Sequence, residues 1–197
     1  MPAATCSHGI AMKRLFDVAA SSMLLLLFAL PMAAIALAVK LTSRGPVLYW
    51  SDRVGRNNRI FRMPKFRTMR MDTPQVASHL LRGAGAYLTP IGDFLRRRSL
   101  DELPQLFSVL RGDLSLVGPR PALFNQSDLI ALRTERGVHE LTPGITGWAQ
   151  VNGRDELSIS AKASLDCDYL RAASFRLDLE ILFTTVGKVV RREDVSH

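Results

Sequence analysis

The sequence predicts an α+β protein that is mostly helical, with a membrane helix at its N-terminus and a compact cytoplasmic domain behind it. Three observations support this prediction. Residues 18–39 form an apolar run without a charged side chain, several short segments repeat leucine at helical spacing, and residues 47–69 have the pattern of a small β-hairpin. The 197 residues, 47% of them hydrophobic, are enough for one domain with a short appendage.

The N-terminal apolar run has three interpretations. Its 22 residues extend roughly 33 Å as a helix, so a simple transmembrane helix is the first. Pro31 predicts a kink, and basic residues at both flanks predict that both ends stay cytoplasmic, which favours a re-entrant helix. The flanking residues are Lys13, Arg14, Lys40 and Arg44. A cleaved signal peptide is disfavoured, because the run is long for a signal sequence.

The same signals divide the chain into four parts. Residues 1–12 are predicted as a disordered lead, 13–41 as the re-entrant membrane helix, 42–192 as a domain on the cytoplasmic membrane surface, and 193–197 as a tail. Within the domain the patterns predict the hairpin, although basic residues at every third position over residues 53–65 fit a helix equally well. They then predict helices over residues 74–82, 91–98, 101–111, 122–136 and 178–190. The short helices rich in leucine and arginine suit a position flat on a membrane, and ordinary packing explains each alone equally well.

The positive charge is concentrated in the middle of the chain. The formal net charge is +8, and residues 51–120 hold 13 of the 26 Lys and Arg but only 6 of the 18 Asp and Glu. Such a stretch indicates either a solvated face or anionic partners: nucleic acid, anionic lipid or sugar nucleotides. Few aromatic residues accompany the arginines, which disfavours nucleic acid. The two cysteines and four histidines have no disulfide or zinc spacing, which indicates a reducing compartment.

Two adjacent carboxylates, Asp101 and Glu102, stand where a helix is predicted to start. A carboxylate there either caps the helix or, like a bound phosphate, is stabilised by free N–H groups. Arg96-Arg97-Arg98 precedes the pair, and Pro119-Arg120-Pro121 follows it. An arginine between two prolines suits a phosphate, although a loop arginine paired with a surface carboxylate fits the same pattern. The combination predicts phosphate chemistry in which one carboxylate attacks and the other handles a metal or a proton.

Two other functions are compatible with parts of the sequence. Asp166-Cys167-Asp168 is similar to the Asp-x-Asp metal motif of sugar-nucleotide glycosyltransferases, but no buried strand is predicted before it. An enzyme of that kind would release UDP. A membrane-tethered basic module would bind nucleic acid or anionic lipid without needing Asp101 and Glu102, and its binding would fall steeply with salt.

Longer blocks of the chain, from Lys13 to about Arg192, resemble the small monotopic phosphoglycosyl transferases of the bacterial sugar transferase family. The resemblance rests on blocks spread over nearly the whole chain. They are residues 13–17 (KRLFD), 45–47 (GPV), 53–55 (RVG), 65–69 (KFRTM), 94–97 (FLRR), 99–106 (SLDELPQL), 112–121 (GDLSLVGPRP) and 143–154 (PGITGWAQVNGR).

The resemblance implies a reaction and its partners. Members of the family transfer a phosphosugar from a UDP-sugar to a polyprenyl phosphate such as undecaprenyl phosphate, and release UMP. The implied place is the cytoplasmic face of the bacterial inner membrane, with the lipid bilayer as a partner and with no nucleic acid. The family's membrane helix is re-entrant, which agrees with the interpretation of Pro31. Residues 42–192 would then be the catalytic domain. The sequence indicates neither the sugar nor the oligomeric state.

The resemblance also implies roles for individual residues. Asp101 would attack the β-phosphorus to form a covalent phosphosugar intermediate, with Glu102 beside it. Mg²⁺ is expected near Asp101 or Glu102. Arg120, framed by Pro119 and Pro121, would hold the nucleotide or the transferred phosphate. Further substrate-binding charge is expected from Arg96, Arg97, Lys65 and Arg67.

The chain departs from the family pattern at two places. Leu30 precedes Pro31 where the family often has serine, which leaves the kink geometry less defined. Gly85-Ala86-Tyr87 stands where many members have Asp-Pro-Arg, so no role is carried over to those positions. Larger members add four spanning helices and an N-terminal domain, and this chain is expected to correspond to the minimal catalytic unit.

Overall fold

The fold is seen in a computed structural model, which describes residues 3–73, 84–153 and 157–191. Helices dominate these residues and four short strands accompany them, so the predicted mostly helical α+β class is confirmed. The helices are α1 (Ala3–Thr42), α2 (Gly92–Arg97), α3 (Gln105–Arg111), α4 (Ser127–Glu135), α5 (Trp148–Val151), α6 (Ile159–Ala172) and α7 (Phe175–Arg191). The strands are β1 (Leu48–Val54), β2 (Ile60–Phe66), β3 (Ser115–Val117) and β4 (Gly144–Thr146).

The first helix, α1, is longer than the sequence indicated. It begins at Ala3 and continues through Pro31 for 40 residues, so residues 3–12, predicted as a disordered lead, are helical. Alanine and methionine in this segment favour a helix, and the single Gly9 does not end one. Among the described residues, Ala11–Thr42 is one helix that is long and apolar enough to cross a membrane by length and composition.

Helix α1 contacts the rest of the domain at two places. Asp17 and Ser21 are buried beside the main core, which includes Leu106, Val109, Leu116 and Ile181. Val39 is buried in a second cluster with Phe66 and Leu95. Between these contacts, Leu26, Leu27 and Leu30 are 68–84% exposed. The helix therefore lies against one body at two places and leaves an apolar middle uncovered.

Strands β1 and β2 form the predicted hairpin. They pair antiparallel from Leu48 opposite Phe66 to Val54 opposite Ile60. The turn between them is tight, because Asn57 and Asn58 adopt left-handed φ angles of 54° and 58°. Asparagine is among the few residues that tolerate this conformation. Lys65, the next-to-last residue of β2, is half-buried.

A second small sheet was not predicted. Strands β3 and β4 pair in parallel, with Ser115 opposite Gly144 and Val117 opposite Thr146. Three-residue strands are too short to show an alternating pattern, so the sequence hides them. Glycine lets the two chains touch: a Cβ built on Gly144 would lie 2.1 Å from the Gly118 nitrogen, and one on Gly118 would lie 2.4 Å from the Thr142 oxygen.

Replacing Gly144 with alanine should destabilise the domain. The added methyl group meets backbone atoms that cannot rotate away, so Gly144→Ala is expected to lower the free energy of unfolding by about 1–3 kcal/mol or more. Thermal unfolding measures the change. The matched control is Gly187→Ala in α7, where a Cβ meets nothing within 4 Å and helix propensity improves by up to about 1 kcal/mol. Equal melting temperatures for Gly144→Ala and the wild type would contradict the close packing.

The predicted helices of the catalytic domain are partly right. Helix α2 agrees with the prediction over 91–98, α4 begins five residues later than predicted, and α7 extends beyond both predicted limits. Helix α6 was not predicted, and residues 74–82 lie outside the described residues.

The expected helix over 101–111 is wrong in its first part: a 3-10 helix covers Leu100–Glu102, and α3 starts only after Pro104. Asp101 therefore does not cap α3.

Candidate active site

The two adjacent carboxylates lie on the 3-10 helix Leu100–Glu102, between α2 and α3. The chain turns into it at Ser99, whose φ of 52° places a non-glycine residue in the left-handed region. That conformation costs roughly 1 kcal/mol or more, so the surrounding packing holds the turn. Asp101 is only 8% exposed, and the Glu102 side chain is 19% exposed. Both carboxylates are therefore largely withdrawn from water.

Glu102 is held by two cations from distant parts of the chain. Lys65 Nζ lies 2.7 Å and Arg120 Nη2 lies 3.0 Å from the same oxygen, Glu102 Oε1. Burial acts to raise the pKa of Glu102, but Lys65 and Arg120 outweigh it and hold that pKa well below its usual range. Glu102 is thus a fixed negative charge. The structure brings together Lys65, Glu102 and Arg120, which the sequence had placed in three separate motifs.

Asp101 has a different environment from its neighbour. Burial raises the pKa of Asp101 from 3.8 to about 6; Lys65 and Arg96 act against this rise, and the Glu102 charge adds to it. Arg96 is fixed by donating from Nε to Thr68 Oγ1 at 3.0 Å, and burial lowers its own pKa. At neutral pH Asp101 is therefore an ionised carboxylate with little stabilisation. Such a group is a better nucleophile than a carboxylate in a strong ion pair.

The loop of residues 119–122, called the Arg120 loop below, is held at its four successive backbone carbonyls. The Pro119 oxygen accepts from the Gly144 N–H at 2.9 Å, and the Arg120 oxygen accepts from Arg133 Nη1 at 2.8 Å. The next two oxygens, of Pro121 and Ala122, accept from Arg53 Nη1 at 3.2 Å and the Val54 N–H at 2.9 Å. The loop is thereby fixed against β4, α4 and β1, which sets where the Arg120 guanidinium stands. The sequence did not reveal Arg53 and Arg133 in this role, because no motif marks a side chain that supports a backbone carbonyl.

Asp166 belongs to this support and not to a metal motif. Its side chain is 1% exposed, and its Oδ2 accepts from Arg133 Nε at 2.9 Å and Nη2 at 2.6 Å. Burial acts to raise the pKa of Asp166, against the opposing effect of Arg133. Asp168 lies on the same helix with a 58% exposed side chain, 3.9 Å from Arg171. The two carboxylates do not converge, so the Asp-x-Asp interpretation has no geometric support.

The two aspartates of α6 should therefore respond differently to substitution. Asp166→Ala removes the carboxylate under Arg133 and leaves a buried guanidinium unpaired, which is expected to cost about 3–5 kcal/mol of stability. Asp168→Ala is expected to leave both stability and turnover unchanged, because its ion pair is exposed. Thermal unfolding and an activity assay of both variants check this. A large loss of activity in Asp168→Ala would revive the glycosyltransferase interpretation.

Two predicted substrate-binding residues have other partners in the structure. The buried Arg67 donates from Nε to the Pro46 carbonyl and from Nη2 to the Ser43 carbonyl and hydroxyl, so it holds the end of α1. Arg97 pairs with Asp93 one turn earlier on the exposed side of α2. Neither guanidinium joins the cluster around Glu102 through these contacts. A basic residue near the carboxylates in sequence is therefore a weak guide to the site.

The site offers few ligands of its own to a metal ion. Within the described parts of the chain, no group of three or more His, Cys, Asp or Glu residues is placed to hold one. Mg²⁺ is commonly bound by one or two carboxylates together with water and substrate phosphate oxygens. Asp101 and Glu102 are the two carboxylates of this kind in the site, and one Glu102 oxygen, Oε1, already accepts from Lys65 and Arg120.

Comparison with known proteins finds similar sugar transferases. The chain is 45% identical over 189 residues to an undecaprenyl-phosphate glucose phosphotransferase of Komagataeibacter xylinus, covering 90% of this chain and 36% of that protein. It is 44% identical to the uncharacterized sugar transferase EpsL of Bacillus subtilis, covering 94% of this chain and 91% of EpsL. It is 38% identical to the UDP-glucose:undecaprenyl-phosphate glucose-1-phosphate transferase of Escherichia coli, covering 90% of this chain and 40% of that protein.

The chain thus spans little more than a third of the K. xylinus and E. coli proteins, but nearly all of EpsL. The model of the bacterial sugar transferase family matches residues 8–192. This range contains all of α1 except its first five residues, and it contains the hairpin, both carboxylates and the Arg120 loop. Since the match covers nearly the whole sequence, the chain belongs to the bacterial sugar transferase family.

Proposed function

We propose that this protein transfers a phosphosugar from a UDP-sugar to a polyprenyl phosphate, releasing UMP and forming a polyprenyl-diphosphate sugar. The observation that carries the proposal is the unequal pair of carboxylates: Asp101 is buried with a raised pKa, and Glu102 is tied to Lys65 and Arg120. The names of the K. xylinus and E. coli relatives supply the substrate class, since both act on undecaprenyl phosphate with a glucose-phosphate group.

In the first step a carboxylate oxygen of Asp101 attacks the β-phosphorus of the UDP-sugar. A new O–P bond forms, the bond from that phosphorus to the bridging oxygen breaks, and UMP leaves with the bond's electron pair. In the second step a phosphate oxygen of the polyprenyl phosphate attacks the same phosphorus. The bond to Asp101 breaks, and the carboxylate is restored. Each step exchanges one P–O bond for another, so no oxidant or further reactant is needed.

The cations of the site suit both steps. Phosphoryl transfer depends mainly on positioning and on positive charge near the phosphate oxygens. Arg96 lies beside Asp101, while Lys65 and Arg120 meet at Glu102 next to it. Arg120 stands on a loop fixed at four carbonyls, so it can hold the diphosphate without reorganising. Glu102 keeps the two cations in place until the substrate arrives.

Mg²⁺ is proposed as the cofactor, with Asp101 and Glu102 as its protein ligands. When bound together with the substrate's phosphates, the ion supplies further positive charge that lessens the repulsion between Asp101 and the anionic donor. Lys65 and Arg120 remain the protein's own contribution to that charge.

The membrane helix is proposed to be re-entrant, with the catalytic domain on the cytoplasmic face of the bacterial inner membrane. Helix α1 packs on the same domain at Asp17 and at Val39, while Leu26, Leu27 and Leu30 between them are exposed. In a helix that crossed the bilayer, these two contacts would lie on opposite sides of the membrane, and one domain could not reach both. Exposed apolar residues on α7, Phe183, Val186 and Val189, offer further area to a bilayer surface.

Labelling of single cysteines tests this topology. In a variant without Cys6 and Cys167, a cysteine introduced at position 11 and another at position 44 are expected to react with a membrane-impermeant maleimide from the cytoplasmic side only. Inverted vesicles and intact spheroplasts provide the two orientations, and a cysteine at exposed position 168 serves as the control for the cytoplasmic domain. Labelling of positions 11 and 44 from opposite sides would contradict the re-entrant helix.

The reaction is tested by identifying the released nucleotide. Purified protein with undecaprenyl phosphate, Mg²⁺ and a panel of UDP-sugars is expected to release UMP from one or a few donors. Release of UDP would support a glycosyltransferase instead. Release of no nucleotide from any donor in the panel would contradict the proposed transfer of phosphosugars from UDP.

A further inference from the structure

Asp17, on the membrane helix α1, makes buried contacts with β3, the strand that leads into the Arg120 loop. Its Oδ2 accepts from the Ser115 hydroxyl at 2.8 Å, and its Oδ1 accepts from the Leu116 backbone N–H at 3.1 Å. Asp17 is 3% exposed and Ser115 is 2% exposed, so water does not compete for these bonds. Burying a carboxylate is costly unless it is hydrogen-bonded, and both bonds go to β3.

The chain segment between this contact and Arg120 is short and is held by backbone hydrogen bonds. Leu116 lies four residues before Arg120 in the chain. Between them, the Gly118 N–H donates to the Thr146 carbonyl at 2.9 Å, and the Pro119 carbonyl accepts from Gly144 at 2.9 Å. A Cβ on Gly118 would come within 2.4 Å of the Thr142 backbone oxygen, so the two backbone segments pack closely at that point. A displacement of β3 is therefore passed on to the Arg120 loop.

A second buried carboxylate anchors the same helix through hydrogen bonds that do not involve β3. Asp178 on α7 accepts from Lys13 Nζ at 2.5 Å and from the Tyr169 hydroxyl at 2.6 Å. Burial raises the pKa of Tyr169, and its hydrogen bond to Asp178 and the charge of Asp178 raise that pKa further. The Tyr169 hydroxyl therefore stays protonated and donates to Asp178. Helix α1 thus has two polar anchors of similar kind, and Asp17 is the one joined to the strand that enters the active site.

We propose that Asp17 is a positioning residue for Arg120, through which the seating of the membrane helix on the domain sets the substrate-binding geometry. The inference rests on the proposed function where activity is measured, while the link from Asp17 through β3 to the Arg120 loop rests on hydrogen-bond geometry. Asp17 touches neither substrate nor reacting atoms. It fixes β3, β3 fixes the Pro119-Arg120-Pro121 loop, and the loop places the guanidinium at Glu102.

A double-mutant cycle between Asp17 and Arg120 tests the coupling. Asp17→Ala alone is expected to lower kcat/KM for the UDP-sugar by about tenfold or more. In an Arg120→Lys background, which keeps a charge and measurable turnover, the same change is expected to cost less than about threefold. Asp17→Asn keeps an acceptor for the Leu116 N–H, and its amide group can donate to the Ser115 hydroxyl oxygen, so its activity should stay near the wild-type level. Tyr169→Phe is the matched control: it weakens the other anchor, and its effect should be the same in both backgrounds.

Hydrogen exchange of the loop supplies a readout that does not depend on turnover. Asp17→Ala is expected to speed amide exchange in residues 116–123 by about tenfold or more, while Tyr169→Phe leaves that segment unchanged. Ser115→Ala, which removes only one of the two bonds, should show a smaller change in the same segment and serves if Asp17→Ala does not fold.

The outcomes distinguish a failure of the positioning role of Asp17 from a failure of the proposed function. Equal fold-losses from Asp17→Ala in both Arg120 backgrounds, or unchanged exchange in residues 116–123, would overturn the positioning role even if the enzyme releases UMP. If no UDP-sugar is turned over by the wild type, the proposed function fails, and the exchange experiment still decides whether Asp17 holds the loop.

Discussion

Asp101→Asn is expected to abolish turnover while the fold persists. The amide is close in size to the carboxylate but cannot form the phosphosugar ester, so kcat should fall by at least about 10³-fold. UMP release in the presence of both substrates measures the loss. Asp113→Asn is the matched control, because this carboxylate follows α3 as a partly exposed group 3.8 Å from Arg111. Activity in Asp101→Asn near the wild-type level would remove Asp101 from the mechanism.

The same substitution should stabilise the protein at neutral pH. The pKa of Asp101 rises from 3.8 to about 6 on folding, so between these pH values the folded state holds the proton more tightly than the unfolded chain. Stability therefore falls as pH rises through this window, by up to about 3 kcal/mol for this one group. Asparagine has no charge to desolvate. The melting temperature of Asp101→Asn relative to the wild type should be higher at pH 7.5 than at pH 4. A lower relative melting temperature at pH 7.5 would contradict the raised pKa of Asp101.

The raised pKa also sets the acid limb of activity. A nucleophilic carboxylate must be ionised, so kcat/KM in the wild type should fall about tenfold per pH unit below about pH 6. A carboxylate with its ordinary pKa would keep activity constant down to about pH 4. A profile of kcat/KM from pH 4.5 to 8 distinguishes the two, with thermal unfolding as the check that the protein remains folded.

Arg120→Ala is expected to have the next largest effect. It removes one of the two cations on Glu102 and the guanidinium that the loop holds towards the substrate, so kcat/KM should fall by about 10²–10³-fold. Arg120→Lys should recover only part of this loss, because an ammonium lacks the planar fork that matches phosphate oxygens. Steady-state kinetics with varied UDP-sugar measures both variants.

Arg97→Ala provides the contrast for Arg120. Arg97 was predicted from its place in the arginine run, but it pairs with Asp93 on an exposed side of α2. Its removal is expected to change kcat/KM by less than about threefold. A loss comparable to that of Arg120→Ala would mean that the substrate reaches this side of α2 and that the cluster at Glu102 is not the whole site.

The sequence predicted the parts of the fold that depend on local patterns. The apolar run of α1, the hairpin within residues 47–69 and the end of α3 at residue 111 follow from composition and residue spacing. The parallel pair β3–β4 was missed because it depends on the close approach of Gly118 and Gly144, which are distant in the chain. The supposed cap at Asp101 was wrong because the chain turns at Ser99 and re-forms a helix only after Pro104.

The candidate site shows the same division. Motif residues Asp101, Glu102 and Arg120 were found from the sequence, and the structure joins the latter two with Lys65. The residues that hold the loop, Arg53 and Arg133, were not found, because side chains that bond to backbone carbonyls leave no pattern of their own. The contrast between the two carboxylates also lay beyond the sequence, since it arises from burial and from the partners each one meets.

The central claim, that Asp101 carries the phosphosugar between two half-reactions, is tested most directly by isotope exchange without the lipid acceptor. Wild-type protein with a UDP-sugar donor, Mg²⁺ and radiolabelled UMP is expected to move label into the UDP-sugar, because the first step is reversible and needs no polyprenyl phosphate. Asp101→Asn should show no exchange. An enzyme that turns over fully with polyprenyl phosphate but shows no exchange in its absence would contradict the covalent intermediate and indicate direct transfer to the lipid.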